Sequence, residues 1–180
     1  MLASKFFPLF ASLVASATIG ERSIKSNVNI YAYGVGINGL LVYVNSNATA
    51  VIADNTTALD QGLNNITWSI DTTGTKPWNV TVTESSSTGQ FYIVPTSSAY
   101  QKAGFTVNST AAPTGAAKTG FVLYGSTVEY ATETTYESQF YAQNSTTGVW
   151  SLMWNTDSEA QDGGVPVVLK TSAPVEPTVD

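Results

Sequence analysis

The chain has 180 residues, with seven Lys or Arg against thirteen Asp or Glu, no His, no Cys and a formal net charge of −6. The missing His and Cys exclude catalytic triads and dyads built on either residue, His- or Cys-ligated zinc and copper sites, and any disulfide framework. The few, scattered basic residues leave no nucleic-acid footprint, and an acidic surface disfavours anionic lipid.

Residues 1–17 read as a secretory signal. Lys5 supplies the positive start, Phe6 to Val14 form a nine-residue apolar run, and Ala15-Ser16-Ala17 is a small-residue cleavage site. The run is too short for a bilayer, which takes about 20 apolar residues. Residues 18–180 are then expected to form one domain, long enough to bury a core without sulfur cross-links. Losing Lys5 takes the net charge from −6 to −7.

The first strand is expected over 27–33. Tyr31 and Tyr33 share one side of it and are candidate ligand-binding residues, because exposed flat aromatics stack on sugar rings. Gly34-Val35-Gly36-Ile37-Asn38-Gly39 is a literal G-x-G-x-x-G. A dinucleotide loop needs a helix straight after the glycines, whereas Leu40 to Val44 is strand-like. The stretch reads instead as a hairpin turning at Asn38-Gly39 into a strand over 39–45.

A strand over 49–53 and a helical turn over 57–61 come next. In the strand over 64–70, Ile66, Trp68 and Ile70 alternate with Asn65, Thr67 and Ser69; over 78–83, Trp78, Val80 and Val82 alternate with Asn79, Thr81 and Thr83. Period-two alternation places the first set of each on a core and the second in water. Asn65 and Asn79 belong to six N-x-S/T sequons, at Asn47, Asn55, Asn65, Asn79, Asn108 and Asn144. Twelve Asn among 44 Ser or Thr would give about three by chance, so the excess points to N-glycosylation.

In a strand over 89–95, Gln90-Phe91-Tyr92-Ile93-Val94 resembles the nucleophile strand of small jelly-roll xylanases. The resemblance covers five residues and has Gln90 where that family carries Glu; an amide is no substitute for a nucleophilic carboxylate. Residues 97–103 are expected to form a helical turn closed by Gly104, then a strand over 104–108 and a polar loop over 109–119. Lys118-Thr119-Gly120 matches one β-lactamase element, but no Ser has a Lys three positions on.

Strands follow over 120–124 and 127–132. The runs "LLVYV", "FYIV" and "FVLY" are apolar on both sides and read as central or doubly covered strands. Glu129, near Glu133 and Glu137, and Glu84 at the end of 78–83, are the candidate carboxylates for glycoside hydrolysis, which two acids suffice to catalyse. In the strands over 137–143 and 148–154, Trp150 and Trp154 share a side and are further ligand-binding candidates. Asp157, Glu159 and Asp162 fall in one loop, in which Asn155, Asp157 and Glu159 have the i, i+2, i+4 spacing that suits calcium, although the full EF-hand pattern is absent. A strand over 164–170 leads to a polar tail, about 172–180, expected to be flexible and lacking the apolar end of a GPI signal.

The expected fold is therefore all-β, a single-domain antiparallel β-sandwich of jelly-roll type with about 10–12 short strands. The expected product is secreted, N-glycosylated and non-catalytic. It would act at the cell wall or in the extracellular space by binding polysaccharide or a protein surface. A jelly-roll glycoside hydrolase and an effector-like interaction protein are the alternatives. The composition is similar to that of small secreted fungal proteins. No cofactor, nucleic-acid partner or membrane anchor is expected.

Overall fold

A computed structural model describes residues 24–96 and 98–175; the expected signal segment and the last five residues lie outside them. The first part of the chain forms β1 (Ile24–Val28), β2 (Tyr31–Gly34), β3 (Ile37–Val44), β4 (Ala50–Ala53), helix α1 (Asn55–Asp60), β5 (Ile66–Asp71), β6 (Asn79–Val82) and β7 (Thr88–Tyr92). The second part forms β8 (Tyr100–Lys102), β9 (Gly104–Phe105), a 3-10 turn (Val107–Ser109), β10 (Phe121–Tyr124), β11 (Thr127–Ala131) and β12 (Tyr136–Glu137). It ends with β13 (Phe140–Thr146), β14 (Val149–Asn155) and β15 (Gly164–Lys170).

The class is all-β and antiparallel, as the alternation implies. The expected open sandwich takes a different form, because the larger sheet closes on itself. The order β2–β3–β4–β14–β13–β15 returns to β2 through Val167 opposite Gly34, Leu169 opposite Ala32 and Lys170 opposite Tyr31. The result is a six-stranded antiparallel barrel. From β15 the sheet extends outward through β11 to β10, with β12 beside β11 and β8 beside β14. A second sheet, ordered β1–β5–β6–β7–β9, packs over the barrel.

The barrel and the small sheet share one core. Ile66, Trp68 and Ile70 of β5 and Val80 and Val82 of β6 are buried, while Asn79 and Thr81 face solvent. They pack in one cluster with Val42, Ile52, Leu152, Trp154 and Leu169 of the barrel. Aromatic edges link the layers: Trp68 meets Phe91, Phe105 and Trp78, Phe91 meets Phe121, Phe121 meets Tyr130, and Tyr130 meets Trp154. Each fully buried large side chain contributes about 1.5–3 kcal/mol of transfer free energy, so this cluster replaces the missing sulfur bridges. A smaller cluster lies outside the barrel wall, where Ala58 of α1 covers Tyr43, Val51, Ala53 and Val149. Asp54 caps α1 by accepting from Thr57 N at 2.8 Å.

Four local expectations are corrected. The run 27–33 divides between β1 and β2, because the chain leaves the small sheet for the barrel at buried Ile30. The first hairpin turns at Val35-Gly36, not at Asn38-Gly39; Gly36 takes φ +74 in the two-residue loop. Gly39 lies inside β3 as a bulge, with φ +70, where the register jumps from Ala32–Leu40 to Tyr33–Asn38. Residues 100–102, expected to be helical, are β8, because they pair with Met153–Asn155. The run "FVLY" is β10, which pairs with β11 alone and leaves Tyr124 exposed.

Candidate functional site

The outer wall of the barrel and its extension carries the features that point to a ligand. Residues directly opposite in antiparallel strands face the same way. Val128, Leu169, Ala32 and Val42 point inward and are buried, so their neighbours point out. The register then lines up Tyr124, Thr127, Lys170, Tyr31, Leu41 and Ala53 in one outward row across β10, β11, β15, β2, β3 and β4. Glu129 and Val122 are paired in the adjoining row over β11 and β10, as Val168 and Tyr33 are over β15 and β2. Tyr124 is 76% exposed.

Two devices order the middle of this wall. Lys170 Nζ lies 5.3 Å from the centre of the Tyr33 ring, a cation–π distance. The Tyr33 hydroxyl donates to the carbonyl of Ser172 at 2.9 Å, which holds the start of the C-terminal segment against β2. Burial, and then the neighbouring Tyr31, push the Tyr33 phenol above its ordinary value.

Beyond Tyr31 the wall opens into a groove of about 450 Å³, within the usual range for small-ligand sites. Tyr31, Leu41 and Ala53 form its floor, Ala173 and Pro174 one wall, and Asp54 and Asn55 the other, with Asn38 completing the polar rim. The Asp54 carboxyl is held below its ordinary range by the amide and hydroxyl of Thr57. Tyr43 donates to Asn55 Oδ1 at 2.6 Å; burial, then the Asp54 charge and Tyr31, push its phenol up.

Of the residues singled out in the sequence, Tyr31 and Tyr33 come together on this wall. Trp154 is fully buried against Phe140 and Tyr130, which leaves it no surface for a ligand. Trp150 is half-buried and packs against the main core. Glu84 sits exposed in the turn after β6, Glu129 on the outer face of β11, Glu133 in the turn after β11, and Glu137 on β12 facing Tyr130. Glu84 therefore follows a strand of the small sheet whereas Glu129 lies on a strand of the large one, and neither lines the groove.

Asp157, Glu159 and Asp162 are all exposed in the loop from β14 to β15. That loop is fastened through its backbone, by Asn155 Nδ2 donating to Glu159 O at 2.6 Å and Gln143 Nε2 donating to Asp162 O at 3.2 Å. Among the described residues, no three acidic side chains converge as a metal site.

The six sequon asparagines, Asn47, Asn55, Asn65, Asn79, Asn108 and Asn144, are all exposed. Three asparagines outside sequons serve the fold, since Asn45 accepts from two loop amides, Asn64 bridges to Val44 and Asn155 is buried; of the sequon asparagines, Asn55 also does so through its bond from Tyr43. None of β2, β3, β10, β11 and β15 contains a sequon. Sequence reasoning missed Tyr124 and Lys170. Both lie on strands recognisable as strands, but only the long-range register shows that they join Tyr31 in one row.

No protein-family model, curated protein or solved structure matches this chain.

Proposed function

We propose that this chain is a secreted, N-glycosylated, non-catalytic protein that binds polysaccharide at the cell wall or in the extracellular space. The observation that carries this reading is the tyrosine-bearing wall of β10, β11, β15 and β2, which contains no sequon. Glycans on Asn65 and Asn79 would cover the small sheet and leave the outer faces of β10, β11 and β15 open. Tyr124 and Tyr31 share a register row with β11 and β15 between them. Three strand spacings of about 4.8 Å separate them by roughly 14 Å, which suits an extended polymer better than a single sugar. Thr127, Glu129 and Lys170 lie between or beside the two rings and supply hydroxyl, carboxylate and ammonium partners for sugar hydroxyls.

The signal-like segment 1–17, the exposure of all six sequon asparagines and the absence of cysteine support export of a protein stable without disulfides. The core shared between the barrel and the small sheet supports a sandwich-like architecture with one closed layer. Glycoside hydrolysis would need two carboxyls about 5–10 Å apart across a cleft. Glu84 lies exposed in the turn after β6 and Glu129 on the outer face of β11, and neither lines the groove, which disfavours that alternative.

The test is retention of the secreted protein on insoluble glucan, chitin and xylan. Retention by one of them, lost in Tyr124→Ala, is the expected result. No retention on any would remove the polysaccharide reading and favour a protein partner for the same wall.

A further inference from the structure

The groove beside the wall is bordered by a sequon asparagine, Asn55. We propose that the N-glycan of Asn55 folds back into it, so that the first N-acetylglucosamine packs over Tyr31 and Leu41. The inference rests on the reading of this chain as a secreted N-glycoprotein. It adds that one of the six glycans is a docked part of the fold, whereas the others project; the docked sugar then closes the Tyr31 end of the row, and the surface left to the polysaccharide runs from Tyr124 over Thr127 to Lys170.

Asn55, Thr56 and Thr57 form the sequon, and Asn55 is the first residue of α1 and lines the groove. Its amide is held in place: Oδ1 accepts the Tyr43 hydroxyl at 2.6 Å, which leaves Nδ2, the atom that carries an N-glycan, as the free end. Tyr43 in turn is buried in the small cluster under α1, so the amide is anchored to a packed side chain. A sugar leaving Nδ2 starts at the groove wall.

The lining also matches a sugar ring. Tyr31, Leu41 and Pro174 offer apolar surface for the C–H face of a pyranose and its acetyl methyl. The Asp54 carboxylate and the Asn38 amide stand at the rim, able to bond hydroxyls and the acetamido group. None of the other five sequon asparagines lines this groove. Asn79 stands on the polar outer face of the small sheet, between buried Trp78 and Val80, and Asn65 stands beside the start of β5.

The test uses the full chain made in a eukaryotic secretory host and treated, while folded, with a peptide N-glycosidase over a time course. Glycopeptide mass spectrometry reads release at each site. Asn55 is expected to keep its glycan on the order of ten-fold longer than Asn65 and Asn79, the factor that about 1.4 kcal/mol of docking gives. Tyr31→Ala should abolish that protection, and the Asn55-linked acetyl methyl should show NMR contacts to the Tyr31 ring in the unaltered protein. If Asn55 is bare while other sites are occupied, or is released as fast as Asn65 and Asn79, or lacks the ring contacts, the docking is wrong and the glycoprotein reading stands. If all six sites are bare, both fall.

Discussion

The Tyr43 hydroxyl and Asn55 Oδ1, 2.6 Å apart, tie the outer wall of the barrel to the first turn of α1. Tyr43→Phe keeps the buried ring and removes only this bond. The expected cost is about 0.5–1.5 kcal/mol, the net worth of one intramolecular hydrogen bond, read as a lower urea midpoint with an unchanged slope. No shift in midpoint would mean that the bond is matched by water.

The pH profile should have a flat middle and two falling limbs. With no His, no side chain at its ordinary value titrates between about pH 5 and 8, so the melting temperature should hold constant there. On the acid side Asp71 matters. Burial alone would raise its pKa, but the Thr73 hydroxyl and the amides of Lys76, Thr73 and Thr75 outweigh that and lower it. Because the folded value lies below the unfolded one, its contribution is present above about pH 4 and is lost as pH falls through the folded value. Asp71→Ala should cost about 1–3 kcal/mol at neutral pH, by freeing the loop from β5 to β6, and should flatten the acid limb.

The alkaline limb has the opposite sign. Burial raises the phenols of Tyr33, Tyr43, Tyr92, Tyr100 and Tyr130. Groups with a raised folded value lend stability that is complete below the unfolded pKa, about 10, and is lost as pH rises through the folded values. Thermal melts from pH 8 to 11, followed with tyrosinate absorbance, should show the loss and the ionisation together.

Gly39 is a sharper test of the bulge in β3 than Gly36 is of the turn. Both have positive φ, but a Cβ at Gly36 meets nothing, whereas one at Gly39 would come within 2.7 Å of Pro174. Gly36→Ala should cost only the backbone term, about 1–2 kcal/mol. Gly39→Ala should cost more, and Pro174→Gly should recover the excess. Equal losses at both glycines would show that the C-terminal segment does not rest on the bulge.

Trp154 and Tyr124 separate core from ligand surface. Trp154→Ala should lose about 3–5 kcal/mol of stability, because its ring is fully buried in the aromatic chain. Tyr124→Ala should change stability within about 0.5 kcal/mol and act on retention alone. A large loss of stability in Tyr124→Ala would remove this residue from the proposed wall.

Much of the fold was legible because alternation is a local signal. Ile66, Trp68 and Ile70 point inward and Asn79 outward, as period two requires. Closure was not legible: Lys170 pairs with Tyr31 across most of the chain, and nothing near either residue announces it. The helical reading of 97–103 gives way to strand over 100–102 for the same reason, since Met153–Asn155 offered an edge that overrode local preference. The hairpin slipped because Gly36 and Gly39 can both take positive φ, and local composition does not say which one makes the turn. For the site, Tyr31 and Tyr33 were visible as a same-side pair, whereas Tyr124 looked like the end of a covered strand until β10 proved to be an edge.

The ring of β2, β3, β4, β14, β13 and β15 has a mechanical consequence. An open sheet frays from its outermost strand, but a closed one has no loose end at which unzipping can start. The amides of these six strands should exchange with deuterium as one cooperative block, slower than those of exposed β1. With no cysteine in the chain, that topology would give a persistence that thiol chemistry cannot undo.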